Sequence, residues 1–168
     1  QGEIDMSLAL CPGSFDPITL GHLNIIRRTA QIFDKVVVCI MMNATKTEPM
    51  FTIEERVEMV RKVVERFPNV EVETPTGLLS EYVKKYDGAV IVKGLRAASD
   101  FEYEFQMNLI NKMINPQLET MFLTASEKYT FLSSSVVREL ASYGADLTGF
   151  VPCEIIDEVE EKAKLWRR

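Results

Sequence analysis

The 168 residues are 46% apolar and 26% charged, proportions of one soluble globular domain (1–168) that exclude disordered, collagen-like and membrane-spanning proteins. A formal net charge of -6, from 25 acidic and 19 basic side chains, gives no hint of the basic face that nucleic-acid-binding domains usually carry. That argues against nucleic acid as a partner, while a local site for small anions stays compatible with it. The three cysteines, Cys11, Cys39 and Cys153, are widely spaced. They suggest neither a metal-ligand pair nor a disulfide framework, and fit a reducing cytoplasm. No apolar run approaches the ~20 residues that cross a bilayer. Residues 1–5 lack a signal-peptide pattern and are expected to be a disordered or tag-derived lead ahead of Met6.

Along the chain, short apolar runs alternate with helical patterns, as in parallel sheets with crossover helices. Leu8 to Cys11 reads as a first strand ending at Pro12-Gly13. A helix is expected from near His22, with Leu23, Ile26, Ala30 and Phe33 on one face. Val36 to Met41 is a buried second strand, with Cys39 a small core hydrophobe. Thr52 and Glu55 form a capping box ahead of the stripe Ile53, Val57, Val60 and Val64. Val70 to Val72 is a short strand, Leu78 to Tyr86 a helix, and Ala89 to Val92 another strand. Ser99 and Glu102 predict a second capping box before Phe101, Phe105, Leu109 and Met113 at helical spacing. Thr120 to Thr124 is the last strand, followed by a Ser-rich turn and a helix with Val136, Val137 and Leu140. Ile155, Ile156, Val159, Ala163 and Trp166 mark the final helix. The fold expected is α/β: Rossmann-like and doubly wound, with about five parallel strands and flanking helices.

Ligands of open α/β sheets bind beyond the carboxyl ends of the strands, so the segments at those ends carry the chemistry. In Pro12-Gly13-Ser14-Phe15-Asp16-Pro17-Ile18-Thr19-Leu20-Gly21-His22, two glycines and two prolines shape a tight path to a helix. Gly21 would admit a ligand to the backbone, and the helix start offers N–H groups to a phosphate. His22 is the only histidine. Lone histidines are more often structural, but a strand exit and glycine turn favour function. Lys46, in Asn43-Ala44-Thr45-Lys46, reads equally as a ligand contact or a solvated surface lysine. Lys93-Gly94-Leu95-Arg96 places two cations around a glycine at a strand exit, which suits an anion; surface salt bridges are the bland alternative. Ser133, Ser134 and Ser135 open a helix with Arg138 one turn inside. One N-cap explains one serine but not three, which favours a phosphate.

Thr19-Leu20-Gly21-His22 and Leu132-Ser133-Ser134-Ser135-Val136-Val137-Arg138 together resemble the two signatures of the nucleotidyltransferase superfamily. Gly94-Leu95-Arg96-Ala97, Asp100-Phe101-Glu102-Tyr103-Glu104 and the string from Pro12 to His22 narrow the resemblance to the bacterial phosphopantetheine adenylyltransferases, over nearly the whole chain from Leu8. The resemblance implies transfer of AMP from ATP to 4′-phosphopantetheine, giving dephospho-coenzyme A and pyrophosphate. It further implies that attack on the α-phosphorus is direct, that Mg2+ assists, and that the chain forms a homohexamer open to feedback inhibition by coenzyme A.

It also implies roles. His22, Lys46 and Arg96 would be catalytic, with His22 stabilising the pentacovalent phosphate. Ser14, Lys46, Leu79 and Lys93 would bind phosphopantetheine. ATP would meet Ser14, Phe15, His22, Gly94, Leu95, Arg96 and Glu104, together with Tyr129, Thr130, Phe131, Leu132, Ser133, Ser134 and Ser135. No residue is assigned as a metal ligand. The sequence departs from the family at Lys93, where arginine is usual, and at Cys11, where an aromatic is common. Lys46 lies in a segment one residue longer than the shorter family form. The alternatives are another small nucleotidyltransferase (a cytidylyltransferase or mononucleotide adenylyltransferase) or a non-catalytic ATP-binding sensor. An aminoacyl-tRNA synthetase fragment shares the Gly-His turn, but no tRNA-binding domain or lysine-rich loop accompanies it.

Overall fold

The apolar runs form β1 (Leu8–Gly13), β2 (Lys35–Ile40), β3 (Val70–Glu73), β4 (Val90–Leu95) and β5 (Glu119–Thr124). They are seen in a computed structural model that describes residues 6–42 and 48–166. All pair in parallel, in the order β3-β2-β1-β4-β5. The helices are α1 (Leu20–Ile32), α2 (Ile53–Val64), α3 (Leu79–Tyr82), α4 (Ala98–Ile114), α5 (Ser134–Ser142) and α6 (Ile156–Trp166). The expected Rossmann-like α/β architecture is the one observed.

Strand β2 has both faces covered, which is why it reads as a continuous apolar run. Val38 and Ile40 join a cluster with Ile26, Met59, Val63, Val137 and Val159. Val37 and Cys39 face the opposite way, towards Leu10, Val83, Ile91 and Leu118. Helix α6 lays Val159 and Ala163 on the first cluster and ties to α2 through Lys62–Glu158 and Lys162–Glu55. Such partly exposed pairs are each worth about 1 kcal/mol or less.

Four local expectations change, the first at the helix expected over Leu78 to Tyr86, which is the single turn α3 followed by a 3-10 turn over Val83–Lys85. Strand β1 continues to Gly13 rather than ending at Cys11, because its ladder with β2 runs to the pair Gly13–Ile40. Helix α1 starts at Leu20, capped by Thr19, so His22 occupies its third position. Helix α4 starts at Ala98 behind the N-cap Ala97, so the helix begins before Ser99 rather than at it. The Asp100 carboxylate accepts the Arg96 backbone N–H at 3.2 Å and the Arg96 Nε–H at 3.0 Å. Among the described residues no helix is long and apolar enough to cross a membrane.

Candidate active site

The ladder between β1 and β4 pairs Ala9 with Val90 and Leu10 with Ile91, whereas β1 stays with β2 to Gly13 and β4 stays with β5 to Leu95. The two central strands therefore part beyond Leu10. Their ends, Cys11–Gly13 and Val92–Gly94, line a cavity of about 520 Å3 at the point where strand order reverses. Pro12 suits a strand whose ladder has stopped on one side, since it has no N–H to leave unpaired. A shallow depression of about 620 Å3 beside β3 holds none of the expected site residues.

On the β1 side the chain turns sharply into α1. Phe15 has φ +48, a conformation that costs a non-glycine residue on the order of 1–3 kcal/mol and is kept where surroundings enforce it. Its ring packs edge-on to His22 at 5.0 Å between centroids. Gly13 makes room for that ring, since a Cβ there would lie 3.0 Å from it. His22 is held by a reciprocal cap. The Thr19 N–H donates to His22 Nδ1 at 3.0 Å, and the His22 N–H donates to Thr19 Oγ1 at 3.3 Å. An accepting Nδ1 puts the proton of the neutral ring on Nε2, making that nitrogen the donor. The Leu20 N–H is taken by Phe150 O at 2.9 Å, so of the first three helical N–H groups only that of Gly21 lacks a protein partner among the described residues. A Cβ on Gly21 would meet ordinary contacts at 3.4 Å and beyond.

The β4 side brings two cations, each already paired with a carboxylate from α4. Lys93 Nζ lies 2.7 Å from Glu104 Oε2, and Arg96 Nε lies 3.0 Å from Asp100 Oδ2. Arg96 Nη1 also donates to Leu132 O at 3.1 Å, which joins the β4 exit to the segment before α5. That segment is set from α1 as well. Arg28 Nη1 donates to Thr124 O at 2.7 Å, and Ser126 Oγ donates to Asn24 Oδ1 at 2.9 Å. The three serines divide their work. Ser133 Oγ caps α5 by accepting the Val136 N–H, Ser134 Oγ donates to Pro17 O, and Ser135 Oγ accepts from Arg138 Nη2. The N–H groups of Ser134 and Ser135 are left at the cavity wall, an arrangement suited to phosphate oxygens.

Most of the expected residues meet in this cavity: Ser14, Phe15, His22, Lys93, Gly94, Arg96, Glu104, Tyr129, Leu132, Ser133, Ser134 and Ser135 all line it. Leu95, Thr130, Phe131 and Leu79 do not. Phe131 is 91% exposed, and Leu79 packs against the buried cluster of Leu10, Val37 and Ile91. Lys46 lies outside the described residues. Arg138, expected to face a phosphate, donates to Asp16 O at 2.7 Å instead. Cys11 lines the cavity, and burial pushes its thiol up to about 12, so it stays protonated.

Sequence reasoning did not single out Asp16, Arg56, Asp100 or Tyr103. Asp16 sits in the glycine-proline turn and was open to notice. Arg56 looks like any helix-surface cation, and its partner Ser14 is 42 residues away.

Residues 10–140 match the model of the cytidylyltransferase-like family. The phosphopantetheine adenylyltransferase of Caldanaerobacter subterraneus is 51% identical over 95% of this chain and 99% of its own. That of Clostridium tetani is 51% identical over 94% and 98%. Among solved structures, a bifunctional NMN adenylyltransferase/ADP-ribose pyrophosphatase from Francisella tularensis shares the fold with a TM-score of 0.67 and 14% identity, over 97% of this chain and 50% of that one. The chain thus belongs to the cytidylyltransferase-like nucleotidyltransferases and, within them, to the phosphopantetheine adenylyltransferases.

Proposed function

We propose that this cavity transfers AMP from ATP to 4′-phosphopantetheine, a step of coenzyme A synthesis. A phosphate oxygen of the acceptor attacks the α-phosphorus, the bond from that phosphorus to the bridging oxygen breaks, and pyrophosphate leaves. In-line displacement of this kind needs positioning and donors aimed at developing charge rather than a covalent group on the protein. The observation that carries the reading is the convergence of a capped His22, two cations and the α5 N-terminus on one cavity.

His22, with Nδ1 committed to Thr19, offers Nε2–H to the pentacovalent phosphate. Arg96 and the N–H groups opening α5 hold the β- and γ-phosphates. Lys93, together with Lys46, holds the acceptor phosphate, Ser14 sits between the two substrates, and Leu79, outside the cavity, borders the part of the pantetheine arm that extends beyond it. Substrate phosphates compete for Lys93 and Arg96 with Glu104 and Asp100, so anion binding carries the cost of opening two ion pairs. Lys93 is a point charge where an arginine would give two aligned donors.

The residues do not fit a metal cage. No group of three His, Cys, Asp or Glu side chains converges among the described residues, and Asp100 and Glu104 are engaged by cations. Magnesium would enter on the phosphates of ATP. Coenzyme A, which combines the acceptor arm with an adenylate, would occupy the same cavity as an inhibitor. A cytoplasmic homohexamer completes the reading. It is supported by α4, whose Phe101, Phe105, Leu109 and Met113 are all exposed and suit burial by further copies of the chain.

Pyrophosphate release tests the assignment. ATP with 4′-phosphopantetheine is expected to turn over; preferential turnover of CTP with glycerol phosphate would overturn it. His22→Ala is expected to lower kcat by about 10²-fold or more, as loss of one transition-state donor does, with ATP affinity little changed. Undiminished kcat would remove His22 from the mechanism.

A further inference from the structure

The turn from β1 to α1 carries three backbone carbonyls that are each taken by a side chain from a distant element. Arg56 Nη1, on α2, donates to Ser14 O at 2.9 Å. Arg138 Nη1, on α5, donates to Asp16 O at 2.7 Å, and Ser134 Oγ donates to Pro17 O at 2.8 Å. The turn also reaches outward. Asp16, 4% exposed, accepts the Met50 N–H on Oδ2 at 3.0 Å and the Phe51 N–H on Oδ1 at 2.9 Å. Phe15, the residue with φ +48 that contacts the His22 ring, lies between the Ser14 and Asp16 anchors.

Arg56 is the unexpected member of this set. It is 5% exposed on a helix whose other charged side chains meet solvent, and its Nε–H donates to Thr52 O at 3.3 Å. A planar guanidinium held at both ends fixes the distance between its partners, whereas a flexible ammonium does not. Thr52 is the N-cap of that helix and directly follows Met50 and Phe51, the pair bound by Asp16. One arginine and one carboxylate therefore lock the start of α2 to the turn before His22 at two points.

We propose that Arg56 is a positioning residue for the transfer reaction: through Ser14 O it holds the Ser14–Phe15 backbone, and through the Phe15 ring it holds His22 in its productive place. Asp16 and Arg138 anchor the far side of the same turn. The proposal rests on the role given to His22 above. It follows from the steep dependence of transfer rates on placement, where a shift of about 1 Å can cost 10²-fold.

A double-mutant cycle on the whole protein tests it, with kcat and the KM for ATP measured for Arg56→Met, His22→Ala and the pair. Arg56→Met is expected to lower kcat by about 10- to 100-fold with the KM for ATP within about threefold, and Arg56→Lys to recover part of the loss. In the His22→Ala background Arg56→Met is expected to cost less than about threefold, because its target is gone. Equal losses in the two backgrounds, or an unchanged kcat, would overturn the clamp while leaving His22 in place. A His22→Ala enzyme with full kcat would overturn the reading of His22 instead, and with it the target of the clamp. If circular dichroism shows Arg56→Met to be unfolded, Arg56→Lys replaces it in the same cycle, with an expected loss of about threefold or more that must again shrink in the His22→Ala background.

Discussion

Helices α1 and α4 leave the two central strands at the same end of the sheet, and both border the cavity, yet they are built on opposite terms. Helix α1 opens on a reciprocal cap between Thr19 and His22 and buries Ile26 and Thr29. It is fastened to the β5 exit by Arg28 and Asn24. Helix α4 opens without a side-chain cap, and none of its described side chains is buried. Its apolar side chains, with Met113 84% exposed, line up along a face that this chain leaves uncovered. Both helices show apolar residues at helical spacing, so spacing reports that a face is to be covered and not which molecule covers it.

The largest expected effect probes the seat of α1. A Cβ at Gly94 would lie 2.9 Å from Ile25 Cγ1 and 3.1 Å from Cδ1. Gly94→Ala is expected to lower the free energy of unfolding by about 1–3 kcal/mol in urea titrations, the usual cost of overpacking. An unchanged midpoint would mean that α1 is not firmly seated on β4. Thr19→Ala removes the hydroxyl half of the α1 cap and is expected to cost about 1 kcal/mol. Its kcat should fall further than that loss of stability explains, since His22 Nδ1 loses a neighbour at 3.1 Å. The smallest effect on the fold belongs to α4. Leu109→Glu is expected to leave far-ultraviolet circular dichroism unchanged, with an intrinsic cost to the chain within about 0.5 kcal/mol. Sedimentation velocity should nevertheless show a smaller particle than the parent. An unchanged particle would erase the contrast, showing that other copies do not cover this face.

The parts of the site that could be read from sequence are those with short-range signals. The glycines and prolines of residues 12–21, the cations flanking Gly94 and the serines at the start of α5 all sit where a strand gives way to a helix, and each segment reaches the cavity. What escaped depends on contacts between distant residues. Arg138 was expected at a phosphate because it follows the serines by one turn, yet its hydrogen bond crosses 122 positions to Asp16. Arg56 and Asp16 find their partners 34 to 42 positions away, and no local pattern announces such a pairing. Ser99 and Glu102 have the spacing of a capping box, but the helix begins at Ala98, one residue before Ser99, a start set by the surrounding chain rather than by that local pattern.

By itself the sequence determined the alternation of strand and helix, the family, and the three segments after β1, β4 and β5 that meet at the cavity. Those depend on apolar period, turn residues and local hydrogen bonding, all of which act over a few positions. Only the tertiary structure decided that β1 and β4 part beyond Leu10 to open the cavity. It also decided that Lys93 and Arg96 enter that cavity already paired, and that α4 keeps its apolar face outward. Each of these outcomes is a competition among groups brought together from far apart in the chain, and the winner depends on distances that only the folded molecule sets.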